Sequence, residues 1–151
     1  MQNQLIRNFH NILPKIKDNT KFKSFTVSRL VAIPSDKPGI NTILKSSATT
    51  KILSTNIVEI PNKAYLNKNP SRTYKLFFKG SISSNVKYIS NNENGSIYYD
   101  NFELFFVESL TSLDRSSYGN NNIVVNILDI SASKFNSHSI FISLILFVQV
   151  I

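Results

Sequence analysis

Few side chains in this sequence stand at spacings that chemistry uses. The two histidines, His10 and His138, lie far apart, and neither has an Asp or Glu at metal-ligand spacing. Both are read as solvated polar residues. Of the nine carboxylates, Asp100, Glu103 and Glu108 stand closest together around one apolar stretch. General acid–base work would need two of them converging in a cleft. Strand alternation instead puts Glu103 on the face opposite the core, where water solvates it. No GxSxG, GxGxxG, P-loop or HExxH run occurs, and no serine sits in a nucleophile context. The absence of cysteine removes disulfides, thiolate metal sites and Cys nucleophiles together. These residues argue for a protein that is not an enzyme and needs no cofactor or metal.

Recognition chemistry is better represented. The formal net charge is +8, from 17 Lys and Arg against 9 Asp and Glu. Such a balance suits an anionic partner: nucleic acid, an anionic polymer or a membrane surface. The lysines are spread along the chain, however, and the densest stretch is only Lys15, Lys17, Lys21 and Lys23. Dispersed solubilising charge is therefore the favoured reading. Eleven Phe and six Tyr are present. Interleaved with lysines between Tyr74 and Tyr88, they could stack the bases of a single-stranded nucleic acid. A core for 151 residues needs such side chains as well. Phe77, Phe78, Phe105 and Phe106 are accordingly read as core.

The elements that must position these residues are mostly strands. At 151 residues the chain is one domain by length, large enough for a single core. Charged residues make up 17%, below the usual quarter, while Ser and Asn abound. The stretch Ile140–Ile151 (IFISLILFVQVI) carries the clearest message. Ile140, Ile142, Leu144, Leu146, Val148 and Val150 line one face. Phe141, Ile145, Phe147 and Ile151 make the other mostly apolar too. A strand apolar on both faces must be covered on both, within a β core or by another chain. It is too short for a membrane-spanning helix, and no membrane span is expected elsewhere.

Earlier in the chain, Leu5, Ile6, Phe9, Ile12, Leu13 and Ile16 fall near helical spacing. Pro14 would kink or end a helix there. Residues 1–23 are thus a separate N-terminal segment, a short helix or a docking arm. Without a continuous apolar stretch or a cleavage site, it is not a signal peptide. Residues 24–33 alternate as a first strand, and Pro34, Pro38 and Gly39 end it. Ile40, Ile43 and Leu44 have helix-like spacing within a turn, and 47–60 read as one strand or a pair. The strongest strand signal is 73–90, with Leu76, Phe78, Ile82, Val86 and Tyr88 on one face. Gly80 marks a bulge or a close crossing. The loop Asn91–Ser96, with Gly95 suited to positive φ, joins it to a return strand at 97–107. After a loop at 113–122 come a strand at 123–130, a polar connection at 131–139 and the terminal strand. The last two should form a second hairpin. This order predicts an all-β fold, an antiparallel β-sandwich or partly open barrel with a short N-terminal helix or arm.

Several residue runs resemble the SPOCS domain of clostridial spore coat and morphogenesis proteins of the SipL type. These are Ile33-Pro34, Lys37-Pro38-Gly39-Ile40, Ile43-Leu44 and Ile52-Leu53-Ser54-Thr55, then Phe78-Lys79-Gly80, Val86-Lys87-Tyr88 and the aromatic return strand Tyr98–Phe106. The tail adds Asp129-Ile130-Ser131-Ala132 followed by Ile140–Val150. The likeness covers residues 25–151 in order and marks 24–151 as a SPOCS-like β domain. It implies a role in assembling the spore coat or an outer spore layer through protein–protein contacts. Proteins of the SipL type carry further modules, whereas a single small domain fits a repeated unit of a layer or filament. Made without a signal peptide, such a protein would arise in the mother-cell cytoplasm and be deposited on the spore surface.

The expected function is therefore structural self-assembly. The expected partners are further copies of the chain and, secondarily, other coat proteins, with no small-molecule substrate. The candidate self-association residues are Leu5, Ile6, Phe9 and Ile12, together with Phe141, Ile145, Phe147 and Ile151. A non-polymerising coat adaptor and a single-stranded nucleic-acid-binding module are the alternatives.

Overall fold

The computed structural model describes residues 5–9, 21–61, 72–112 and 123–150. Seven strands account for most of them: β1 (Leu5–Phe9), β2 (Phe22–Ala32), β3 (Ile40–Pro61), β4 (Arg72–Ser90), β5 (Ile97–Ser112), β6 (Ile123–Asn136) and β7 (Ser139–Val150). All pairings are antiparallel. The first sheet has the order β1-β6-β7-β2 and the second β3-β4-β5. The two stack as a β-sandwich; the sheets do not close into a barrel. Hydrophobic alternation explains the stacking. Ile140, Ile142, Leu144, Leu146 and Val148 of β7 meet Leu76, Phe78, Ile82, Val86 and Tyr88 of β4, all buried in one core. The rings of Phe25, Phe78 and Phe106 join the sheets at its centre, with centroids 5.3–6.3 Å apart.

The strand expected at the centre of the core is there: β7 lies between β6 and β2. Both expected hairpins form, and Gly95 takes φ 55° in the turn between β4 and β5. Gly80 combines the two roles open to it. Its partner strand β3 slips register between Ile52 and Ser54, directly opposite. A Cβ on Gly80 would also stand 2.2 Å from the Phe106 ring. Only a residue without a side chain lets that ring lie across the strand.

Three expectations change. Leu5–Phe9 is not helical: it is an edge strand paired with β6, from Leu5 opposite Ser133 to Phe9 opposite Asp129. Tertiary pairing overrides the amphipathic spacing. The helix-like turn at Asp36–Leu44 and the strand after it are largely one strand, β3, beginning at Ile40. Register shifts between Ile40 and Thr42, and between Ile43 and Lys45, each insert a residue. Inward positions thereby fall at Ile40, Ile43 and Ser46, three apart, which imitates a helix. The polar connection at 131–139 is mostly strand as well, because β6 runs on to Asn136 after a shift at Ile127/Asp129.

Candidate interaction faces

Asp100 and Glu103 do not converge, since they occupy opposite faces of β5. Asp100 points inward and is 5% exposed; it accepts a hydrogen bond from the Tyr88 hydroxyl at 3.2 Å and pairs with Lys37. Burial first, and the Asp100 charge second, push the Tyr88 phenol up to about 12. Glu103 points outward and accepts from Ser83 Oγ at 2.6 Å. Hydrogen bonds from Ser83 and then Ser81 hold its carboxyl below the ordinary glutamate range. Among the described residues, no group of three His, Asp or Glu side chains could hold a metal ion. The residues of interest are those on the two outward faces of the sandwich.

The first sheet's outer face is apolar and hydroxylic. Its cross-strand rows run Leu30–Phe141, Ser28–Ser143, Thr26–Ile145, Ser24–Phe147 and Phe22–Gln149. Ser28 and Ser143 share a 2.8 Å hydrogen bond. Leu30 is 53% exposed, Phe141 43% and Ile145 40%. Among the β2, β7 and β6 positions of these rows there is no Lys or Arg, and Asp129 is the one carboxylate; on the edge strand β1, Arg7 takes the register position opposite Ser131. Phe141 and Ile145 are thus surface residues, as a self-association role requires. Phe147 is not: it is buried, with its ring stacked on Phe22 at 5.5 Å. Leu5, Ile6 and Phe9 are backbone-paired to β6 within the fold, and Ile12 and Ile151 lie outside the described residues. The sequence reading missed Leu30 and Phe22, the β2 contribution to this surface. Register alone brings them beside β7.

The second sheet's outer face is cationic and aromatic. Successive rows across β3, β4 and β5 are Lys45–Lys87–Tyr99, Ser47–Asn85–Asn101, Thr49–Ser83–Glu103 and Lys51–Ser81–Phe105. Beyond them stand Lys79, Phe77 and Lys75 of β4. Tyr99 and Phe105 are 57% and 51% exposed. The ammonium of Lys87 sits 5.3 Å from the Tyr99 ring centroid, and that of Lys79 sits 5.9 Å from Phe105. The two middle rows are small and polar and floor a groove of about 540 Å³. Phe77 and Phe105 were read as core with Phe78 and Phe106. Only Phe78 and Phe106 are; the other two belong to this outward face. Parity along β4 and β5 already sets them on the other face; the need for a large aromatic core outweighed it.

Comparison with known protein families, curated proteins and solved structures returns no match.

Proposed function

We propose that the chain is a self-associating structural β-sandwich whose first-sheet outer face docks on a second copy. The observation that carries this reading is the exposed trio Leu30, Phe141 and Ile145 on a surface whose β2, β7 and β6 rows hold no Lys or Arg. Exposed apolar patches of this kind mark interaction sites, and interface cores are depleted of charge. Two copies each bearing a net +8 repel one another. They meet with least repulsion through this lysine-free face, each turning its lysine-bearing face outward. Pairing through the long β3 edge is disfavoured, because three register shifts and Lys45 and Lys51 interrupt it. Contact between identical faces closes a dimer. Exchange of β1 onto the β6 of a neighbour adds a head-to-tail contact that extends dimers into a layer or filament. The resemblance to the SPOCS domain motivates a setting at the surface of a bacterial spore.

Analytical ultracentrifugation tests the assembly. The wild-type chain should associate with rising concentration and more strongly at high salt, which screens the repulsion. A Leu30→Ser, Phe141→Ser, Ile145→Ser variant should stay monomeric, and deletion of residues 1–9 should stop growth at the dimer. A wild-type monomer at every salt and concentration would sink the proposal. Stoichiometric capture of a different coat protein by that same face would replace it with the adaptor reading.

A further inference from the structure

On the opposite side of the sandwich, independently of self-association, we infer that the β3–β4–β5 face binds an acidic polysaccharide laid along β5 between Tyr99 and Phe105. The floor, the walls and the charge each contribute to this assignment.

The floor is built to exchange hydrogen bonds with hydroxyl groups. Ser47, Asn85 and Asn101 form one row, and Thr49, Ser83 and Glu103 the next. The Asn85 amide donates to Asn101 Oδ1 at 2.6 Å, and Ser83 donates to Glu103. These bonds fix the side chains yet leave each amide further donor and acceptor capacity. The Glu103 carboxylate, kept ionised by its serine donors, is an acceptor for a ligand hydroxyl. Charge-assisted bonds of that kind are the stronger ones.

The walls in this sense are rings that stand beyond the two ends of the groove, not among the side chains that line it. Tyr99 and Phe105 are six residues apart on one strand face, roughly 20 Å. Each offers an exposed apolar surface on which the C–H face of a sugar ring can lie. The short side chains between them make the groove concave, so a chain of rings bridges the two without clash.

The charge flanks the floor. Lys45 and Lys87 border the Tyr99 end, and Lys51 and Lys79 the Phe105 end. With Lys75 beyond, the described residues of this face include five lysines and one carboxylate, that of Glu103. An acidic ligand is therefore complementary at both ends, while its neutral hydroxyls meet the middle. A single-stranded nucleic acid fits less well: the small polar side chains between the two rings hydrogen-bond hydroxyls but give its successive bases no stacking platform. A flat aromatic face with an unbroken basic track would have suited it better.

The test is isothermal titration at low salt with three kinds of probe. These are hexameric acidic saccharides (oligogalacturonate and chondroitin sulfate), neutral maltohexaose and a thymidine hexanucleotide. The expected order places an acidic saccharide first and the neutral saccharide last. Tyr99→Ala and Phe105→Ala should each weaken acidic-saccharide binding roughly tenfold. Lys87→Gln and Lys79→Gln should each weaken it and flatten its salt dependence. Leu30→Ser, on the other side of the sandwich, should leave it unchanged. Circular dichroism confirms that each variant is folded; if a ring variant is not, the two lysine variants carry the test. Failure of both acidic saccharides to bind, equal binding by the folded ring or lysine variants, or tighter binding of the oligonucleotide would each overturn the assignment.

Discussion

The two outer faces of this sandwich share a core and little else. The β1–β6–β7–β2 side shows Leu30, Phe141 and Ile145 among serines and threonines, without a described lysine in its rows. The β3–β4–β5 side sets five lysines among exposed aromatic rings. Five lysines that look dispersed along the sequence are thus gathered by strand parity on one side of the molecule. Net charge alone says only that anions are attracted. Its placement separates a surface that can approach its own copy from one that repels a copy and attracts a polyanion.

If the faces serve recognition and not folding, outward residues should contribute little to stability while their inward neighbours dominate it. Phe105 and Phe106 make the sharpest pair. Phe106 is 6% exposed and packs on Phe25 and Phe78. Its replacement by Ala should cost about 3–5 kcal/mol, whereas Phe105→Ala should stay within ~0.5 kcal/mol. Urea denaturation of both variants measures the difference. Comparable losses would erase the distinction between face and core.

A smaller effect is expected where the second sheet meets that ring. Gly80→Ala puts a methyl group where the Phe106 ring lies, and overpacking of this kind should cost roughly 1–3 kcal/mol. Phe106→Leu in the same chain vacates part of the space. The two substitutions should therefore couple in a double-mutant cycle, with the pair less destabilised than the sum. Additive losses would mean that Gly80 serves only the backbone irregularity beside Ile52.

How much of this was legible in the sequence depended on where the period of two survived. Along β4 it is intact from Leu76 to Tyr88, and the inward set, the hairpin and Gly80 could all be read from it. Along β3 and β6 extra residues break the phase. Ile40, Ile43 and Ser46 then mimic helix spacing, and Ile127 followed by Ile130 hid the continuation of β6. The exposed aromatics failed for another reason. Parity did put Phe105 opposite Phe106, but the hydrophobic run Leu104–Val107 made core the easier assignment. Pairing between distant strands, such as Leu30 beside Phe141, has no local trace at all. The apolar face on the first sheet could be inferred only for its β7 half.

Effects of pH also separate the faces, because one carboxylate of β5 turns inward and the other outward. The inward one, Asp100, accepts from Tyr88, whose phenol is pushed up to about 12 by burial and then by that charge. An unfolded tyrosine ionises near 10. The native state therefore keeps its proton where the unfolded chain loses it. That contribution is complete below about pH 10 and disappears as pH rises through about 12, amounting to about 3 kcal/mol. Tyr88→Phe should flatten the alkaline limb of stability relative to wild type. The outward one, Glu103, has its pKa lowered, so its effect runs the other way: present above the ordinary glutamate range and lost as pH falls through the folded value. Fully solvated, it should move stability little, while its carbon resonance in NMR titrates at lower pH than a free glutamate. Ser83→Ala should shift that titration upward and leave the alkaline limb untouched. A Ser83→Ala chain whose alkaline limb flattened as that of Tyr88→Phe does would show that the two sides of β5 are coupled, and that the outer groove takes part in holding the core.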